Sequence, residues 1–539
     1  MLVTIIYIGG VLMTDNDYVN LITSTAYWIK RSELTNTAYY NLRSKLSVVN
    51  FSDQEVPIAF FEITEPYPYV VIPKISRELL DHIVGRKLMF EICLGEDGDI
   101  VEYKEPPFKP LPHQIDIINE ISKLYDSKVS QDKRAVLALQ AGGGKSFISA
   151  NLVKHVGQKF IFIVYSKKLV RQTWESFKKY LGKDGMCMLE RGSDFEELDW
   201  SRIKGLFLSQ SMLRSLFKTY GEQYVLDTIQ YKMGATIKII DEFDREVGMF
   251  YKLEAFSNFK YSLYLTGTAY KSLKPDDAVF QTVIRSALKS GGKVKLESQR
   301  ICYVVNYNFK VAPDEYFKLN MRDEKLFKTY FNDHLAQKDL ILDYIMQKFY
   351  KDDNSVMKRS INEGYQIVFF CGRIEHCEGV KNKLIKNFGI SENDIGVYNS
   401  SINEKDKLVA ETKPFIMTTC ESMGRGYDND KLRVLVFLEF SFSSSVFSQS
   451  VSRTSRTGTN YESYIIYPNA TDQYKCSMNL RKKMREGLFE RYFKKTEFLT
   501  VPESYYGFYV YGYREDSERG KFLIEKRKNK KVKLSKKIF

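Results

Sequence analysis

AVLALQAGGGKSFISA, residues 135–150, passes from an uncharged apolar run through three glycines to a lysine and a serine. Ala135 to Leu139 predict a buried strand, and the spacing of Phe147, Ile148, Ala150 and Leu152 predicts a helix directly afterwards. Gly142, Gly143 and Gly144 let the backbone curl so that several N–H groups face one anion, and the helix start adds its positive dipole end. Lys145 can reach the terminal phosphates of a nucleotide, and the Ser146 hydroxyl can ligate magnesium. The common phosphate-loop pattern has another glycine five positions before the last one, where this chain has Leu139.

A second segment, TIKIIDEFD (residues 236–244), supplies the partner such a loop needs. Ile237, Ile239 and Ile240 predict a strand that delivers Asp241 and Glu242 at its C-terminal end, where ligands bind in open parallel sheets. Asp241 is expected to contact magnesium, directly or through water, and Glu242 to orient an attacking water. A phosphate cradle, a cation, a metal site and a carboxylate are the parts phosphoryl transfer requires. The pair therefore implies ATP and Mg2+ as cofactors.

Further pieces follow in a fixed order. Leu111-Pro112-His113-Gln114 opens an amphipathic helix, with Gln114 placed to read an adenine edge. FIFIVYSKKLVRQTW (160–174) gives a strand and then Ser166-Lys167; GLFLSQSML (205–213) gives a strand ending in Ser209-Gln210; YSLYLTGTAY (261–270) ends in Thr266-Gly267-Thr268. A second set begins with QIVFFCGR (366–373), ending in Gly372-Arg373. PFIMTTCESMGRGYDN (414–429) contains Thr418, Thr419, Gly426 and Asp428, and QSVSRTSRTG (449–458) contains Gln449, Arg453 and Arg456. Arginines three apart share one helix face, so both guanidinium groups can point into one cleft.

From about residue 106 to 475 this ordered set resembles the superfamily 2 helicases and nucleic-acid translocases. The resemblance implies two RecA-like parallel-sheet lobes that hold ATP between them. It implies arginine fingers at Arg453 and Arg456, nucleotide contacts from Gly426, Asp428 and Gln449, and coupling by Thr266 and Thr268. Nucleic acid would be touched by Ser166, Lys167, Ser209, Gln210, Gly372, Arg373, Thr418 and Thr419. Within the superfamily the chain looks most like the UvsW-type phage helicases, the poxvirus transcript-release helicase and the XPB-like group. It shares with them an N-terminal domain, the segment YVVIPKISRELL and the Gln114 region. Asp244 stands where relatives usually carry His, and Ser452 where they usually carry Gly. The string DEFD approaches that of DEAD-box RNA helicases, whose Pro-Thr-Arg-Glu-Leu and Ser-Ala-Thr motifs are missing here. The implied activity is ATP-driven unwinding or remodelling of branched DNA in replication, recombination or repair. A transcript-release translocase or RNA helicase is the alternative within the enzyme class, and a non-catalytic nucleic-acid-binding scaffold the alternative outside it. The expected partner is DNA, single-stranded or branched duplex, with RNA as the alternative, and a monomer is favoured.

At 539 residues and 44% hydrophobic content the chain suits an α/β protein of two RecA-like lobes with additions. The expected division is an accessory α+β domain over 1–105, lobes over 106–298 and 299–475, and an extension over 476–539. In the first of these, Gly95-Glu96-Asp97-Gly98-Asp99 predicts a hairpin; in the third, Asp323 to Tyr350 predict one long helical segment. Seven cysteines fall singly and suggest packed thiols in a reducing compartment rather than a zinc site. Eight lysines or arginines and no acid lie between Lys526 and Phe539, so over half of the net charge of +14 sits there. That stretch reads equally as a grip on a phosphate backbone or as a solvated end. The aromatic run YYGFYVYGYRE (505–515) could stack on bases but reads more readily as an edge strand or hairpin. The opening LVTIIYIGGVLM is too short to span a bilayer and lacks a preceding cation, so it predicts a strand, or an extension ahead of a start at Met13. The protein is expected to be soluble and intracellular, in the host cytoplasm if phage-encoded, a source its composition and relatives suggest.

Overall fold

The computed structural model describes residues 6–8, 11–13, 19–49, 55–64, 68–139, 142–165, 167–244, 247–267, 277–292, 299–311, 323–423, 431–441, 443–454 and 461–535. They fall into two compact units, Met1–Val294 and Lys295–Phe539. Each unit is built on a seven-stranded sheet in which every pairing is parallel. Parallel strands are covered on both faces, so they read as apolar runs rather than alternations. Phe160–Val164 and Gly205–Ser209 are accordingly buried at every position.

In the first unit the sheet runs Met186–Met188, Gly205–Ser209, Phe160–Val164, Ile237–Asp241, Tyr261–Thr266, Arg134–Ala138, Leu288–Ser290. In the second it runs Ile395–Tyr398, Phe415–Thr419, Gln366–Cys371, Leu432–Leu438, Ser463–Ala470, Arg300–Tyr307, Lys495–Thr500. Numbered by chain position within each sheet, both orders are 3-4-2-5-6-1-7. The chain thus contains two RecA-like lobes of one topology. The second sheet extends past the boundary expected near residue 475: Lys495–Thr500 is its seventh strand, the counterpart of Leu288–Ser290. Its exposed and half-buried positions disguise it as a surface segment in the sequence.

Residues ahead of the first lobe form a five-stranded sheet in the order Phe61–Ile63, Tyr69–Pro73, Ala26–Lys30, Leu21–Ile22, Glu91–Ile92. Two helices accompany it, Asn36–Lys45 and Arg77–Val84, capped by the hydroxyls of Thr35 and Ser76. Within the apolar opening, Ile6–Ile8 and Val11–Met13 pair as a short antiparallel ribbon. The acidic turn expected as a hairpin forms no strand and is a strap laid on the first lobe. Asp97 accepts hydrogen bonds from Gln158 Nε2 at 2.8 Å and the Tyr261 hydroxyl at 2.9 Å, and it pairs with Lys260. Burial pushes the Asp97 carboxyl up, but these three partners outweigh it and leave the group below the usual carboxylate range.

The small domain is fastened to the first lobe by a buried ionic cluster. Glu254 and Lys238 both have 0% side-chain exposure and meet at 2.6 Å. Tyr264 donates its hydroxyl to Glu254 at 2.7 Å, and Lys238 also donates to Ser257 Oγ at 3.1 Å. Thr25, from the small domain, donates its hydroxyl to the carbonyls of Glu254 and Ser257 at 2.7 and 2.8 Å. Arg134 joins from the start of the phosphate-loop strand, pairing with Asp132 at 2.8 Å and donating to the Lys74 carbonyl at 3.2 Å. Desolvation lowers the Lys238 ammonium and brings Lys74 down to about 8.

In the second unit the long helical segment expected over Asp323 to Tyr350 is two helices, Glu324–Gln337 and Leu340–Phe349. The break at Lys338 and Asp339 is held by tertiary bonds. Lys383 donates to the carbonyls of Ala336, Gln337 and Lys338 at 2.8–3.1 Å, and Lys338 donates to those of Phe309 and Lys310 at 3.1 Å. The Lys383 ammonium satisfies carbonyls that continued helix would have used, and Lys338 ties the break to the segment after the strand Arg300–Tyr307. The described residues contain no helix long and apolar enough to cross a membrane.

Removing one partner of the Lys238–Glu254 pair leaves a buried charge unmatched, at a cost of about 3–5 kcal/mol. Lys238→Met and Glu254→Gln are each expected to lower the urea midpoint sharply. The double variant should lose clearly less than the two single losses combined, which a double-mutant cycle reads directly.

Candidate functional site

The C-terminal ends of the first lobe's strands assemble the groups singled out in the sequence. Ala138 pairs in register with Thr266, and Asp241 with Leu265, so the phosphate loop, Thr266 and Asp241 leave three adjacent strands on one edge. Leu139 N–H donates to the Thr266 carbonyl at 3.1 Å and extends that pairing by one residue.

Gly142 and Gly144 have φ of 83° and 88°, a region other residues enter at a cost. Gly144 is also the residue from which the helix Lys145–Val156 starts, and a Cβ there would collide with the Gln114 amide. Gln114 donates from Nε2 to the Gly143 carbonyl at 3.2 Å and accepts the Leu111 N–H at 2.9 Å. His113 Nε2 lies 3.4 Å from the same Gly143 oxygen. Expected at an adenine edge, Gln114 is buried here and staples the glycine loop to the helix Pro112–Asp126. Lys145 Nζ donates to the Leu139 carbonyl at 3.1 Å and lies 3.6 Å from where a Gly267 side chain would begin. Ser146 stands half-buried in the first helical turn, where backbone N–H groups have no acceptor within the helix.

Glu242 occupies a left-handed backbone conformation, φ 52°, directly after the strand, and its N–H donates to Asp241 Oδ1 at 3.1 Å. A non-glycine residue held there stores strain, a frequent sign of a functional position. Phe243 anchors the turn, its ring 5.1–5.3 Å from those of Phe250, Tyr264 and Phe280. Helix Val247–Phe256, which carries Glu254, follows closely, so the ionic cluster that holds the small domain also fixes this turn.

The residues expected to contact nucleic acid divide by burial. Lys167 is exposed at the start of helix Lys167–Leu181. Ser209 and Gln210 are buried, and the Ser209 hydroxyl accepts the Met212 N–H at 3.1 Å as a helix cap. Thr418 is buried as well, and the half-buried Thr419 bonds to Ser422 at 2.9 Å. Ser209, Gln210 and Thr418 are thus buried, and the hydroxyls of Ser209 and Thr419 bond within their own turns. Arg373 is 41% exposed and is held by Asp333 at 3.1 Å and Glu375 at 3.3 Å. Gly372 beside it packs so closely on Asn332 that a Cβ would come within 2.7 Å.

Asp333, Glu375 and His376 form a group with metal-ligand spacing, but the Arg373 guanidinium already lies against both carboxylates. Desolvation keeps the His376 imidazole below its ordinary pKa despite Asp333 at 3.2 Å. Gln449 lies half-buried in helix Ser444–Val451, and Arg453 follows in the next turn. Ser166, Thr268, Gly426, Asp428 and Arg456 lie outside the described residues.

Arg300, the first residue of the strand Arg300–Tyr307, went unremarked in the sequence. It is buried, donates to the Thr454 carbonyl at 2.8 and 3.2 Å and reaches the Ser452 carbonyl at 3.5 Å. Its guanidinium thus grips the backbone on both sides of Arg453. Desolvation brings the Arg300 pKa down to about 10. At the other end of the same helix, Asn479 and Lys483 each donate to the Ser441 carbonyl at 2.9 Å, and Ser443 caps the first turn. No sequence signal marks Arg300, Asn479 or Lys483 for these contacts, because each reaches tens of residues along the chain.

Residues 107–271 match the family described as "Type III restriction enzyme, res subunit". No curated protein matches the chain's sequence. Among solved structures the chain is similar to a Vibrio vulnificus YJ016 fragment described as an HsdR subunit of a type I restriction enzyme. That likeness has 15% identity and a TM-score of 0.49, over 74% of this chain and 70% of that one. It is also similar to S. cerevisiae Dbp5 bound to RNA and ADP BeF3, at 14% identity and TM-score 0.43 over 73% and 90%. A third similar structure is Mss116p bound to ssRNA and AMP-PNP, at 13% identity and TM-score 0.45 over 73% and 78%.

Burial lowers the Lys483 ammonium from 10.5 to about 7, so the folded state gives up a proton that the unfolded state keeps. Between those values unfolding takes up a proton, and stability contributed by this group rises with pH. Relative to Lys483→Met, the wild-type protein is expected to gain stability as pH rises from about 7 towards 10, measured by urea unfolding at each pH.

Proposed function

We propose that this chain is an ATPase of the superfamily 2 helicase type, with residues 107–271 in its ATP-binding lobe, and that it acts on DNA, unwinding or remodelling branched molecules during replication, recombination or repair. The observation that carries the reading is one strand edge holding the strained Glu242 and Asp241, with Lys145 against Gly267 and the glycine loop two strands away. Two features favour DNA over RNA. The family matched is a restriction-enzyme subunit, and the Pro-Thr-Arg-Glu-Leu and Ser-Ala-Thr motifs of DEAD-box RNA helicases are missing from the sequence. The UvsW-like and XPB-like resemblance points the same way.

The residues fit a magnesium nucleoside triphosphate. The helix start after Gly144 offers N–H groups, Lys145 a cation, and Ser146 and Asp241 hard oxygen ligands. When bound, the nucleotide would supply a phosphoryl group whose transfer to water releases the driving energy. Lys145 would neutralise phosphate charge, and Ser146 and Asp241 would hold the metal. Glu242, turned by its left-handed backbone, orients water and takes its proton at a carboxylate oxygen. By the resemblance, Arg453 and Arg456 would serve as arginine fingers, a contribution worth roughly 10³–10⁵ in rate elsewhere. Arg300 positions Arg453 through the flanking carbonyls. Lys167 and Arg373 are the exposed cations assigned to the strand, which predicts weak sequence preference and strong salt sensitivity.

Lys145→Ala is expected to abolish nucleic-acid-stimulated ATP hydrolysis, and Glu242→Gln to lower kcat by roughly 10²–10⁴ while nucleotide binding survives. Retention of a wild-type stimulated rate by Lys145→Ala would falsify the motor assignment. A panel of single-stranded DNA, forks, four-way junctions and RNA then fixes the substrate. Greater stimulation by RNA than by any DNA replaces the DNA reading with an RNA helicase.

Arg300→Lys keeps a cation but loses the forked donor geometry. It is expected to lower kcat about tenfold with little change in KM for ATP, and Arg300→Gln to lower it further. A loss confined to KM in steady-state kinetics would remove the positioning role.

A further inference from the structure

From Glu518 onward the chain carries ten lysines or arginines against two glutamates, a density that in sequence is equally a solvated end or a phosphate grip. In the structure Glu518–Ser535 is a helix, and it is docked. Leu523 is buried against Val510 and Tyr513 of the hairpin Tyr509–Val510 and Tyr513–Arg514, with Ile524 beside them. At Gly520 the helix comes so close to the Arg514 carbonyl that no side chain would fit. Arg527 stacks 4.4 Å from the Tyr511 ring centre, and Arg519 and Lys526 lie 5.4 and 5.8 Å from that of Phe522. Lys521, Lys526, Arg527 and Lys528 are exposed.

The hairpin is in turn fixed to the helix break of the second lobe. Asp339 and Leu340 N–H donate to the Gly512 carbonyl at 3.0 and 3.1 Å, and Arg514 N–H donates to Asp339 Oδ2 at 3.2 Å. The Tyr509 hydroxyl donates to Asp343 at 3.0 Å. Asp339 lies at the break that ends the helix carrying Asp333, the residue that holds Arg373. The mount thus carries its cations on an element fixed to the second lobe.

We infer that the outward face of helix Glu518–Ser535, led by Lys526, Arg527 and Lys528, is a second nucleic-acid grip that holds the phosphate backbone independently of nucleotide. This deepens, and rests on, the reading of the chain as a nucleic-acid motor. An end without a docking face would pay the ordering entropy of its cations on binding; this helix has already been ordered by Leu523 and Gly520.

The test is fluorescence anisotropy of the full chain with a labelled single strand of about 30 nucleotides, without nucleotide, across a salt series, beside ATPase measurements on the same preparations. Replacing Lys526, Arg527 and Lys528 together by Gln is expected to weaken binding roughly tenfold near physiological salt and to reduce the log–log salt slope by about 2. Leu523→Asp, which keeps every cation but undocks the helix, is expected to weaken binding in the same direction, with the unfolding midpoint of the lobe checking that the remainder stays folded. A triple variant with wild-type affinity and salt slope, in a chain whose ATPase the strand stimulates, overturns this inference and leaves the motor intact. A wild-type chain that binds the strand with the expected slope but hydrolyses no ATP overturns the motor reading instead. Preference of the helix for anionic vesicles over the strand also overturns the inference.

Discussion

A carboxylate with no exposed surface survives only if cations and donors replace its water, and Glu254 meets that demand in three ways. It takes the Lys238 ammonium from one central strand, the Tyr264 hydroxyl from the next, and has Arg134 at 3.9 Å from the third. Its own backbone carbonyl is occupied by Thr25 of the small domain. Three strands and a separate domain are thereby brought to one point, and only one registration of the sheet satisfies it. The helix bearing Glu254 follows the turn at Glu242, so a requirement for charge neutrality at one end of the strands fixes the geometry of carboxylates at the other.

That other end owes its chemistry to parallel pairing. When every strand runs the same way, every chain exit falls on one edge, and residues far apart in sequence arrive side by side. Lys145, Gly267 and Asp241 come together for this reason. The edge is also crowded, and the structure resolves the crowding by assigning some polar groups to the chain itself. Ser209 caps a helix, Thr419 closes a turn, and Gln114 staples the glycine loop. Polar residues at strand ends are thus of two kinds that composition cannot separate, and burial separates them.

The second unit repeats the strand order of the first but arms its edge differently. Its cations are held by other groups: Arg373 by Asp333 and Glu375, and the backbone around Arg453 by the buried Arg300. An arginine held on one side presents its remaining donors in a defined direction, which is what recognition of phosphate requires. The docked basic helix follows the same logic on a larger scale, with Leu523 and Gly520 fixing where its lysines and arginines stand.

Local pattern was enough for the phosphate loop, the strand ending in Asp241 and most strand positions, because glycine torsions, helix starts and apolar runs are encoded within about ten residues, and the resemblance carried by the ordered motifs supplied the two-lobe α/β architecture. It failed where contacts join distant segments. The helix break at Lys338 depends on Lys383, the strap at Asp97 on Gln158 and Tyr261, and the seventh strand Lys495–Thr500 on an edge left open by Arg300–Tyr307. Arg300 and Glu254 look like ordinary charged residues in sequence, and only burial turns them into organising groups. The sequence by itself determined which chemistry this protein carries, since that rests on residue types at short spacing. Tertiary structure alone decided which of those residues remain available for it, since solvent access and hydrogen-bond partners arise only when distant segments meet.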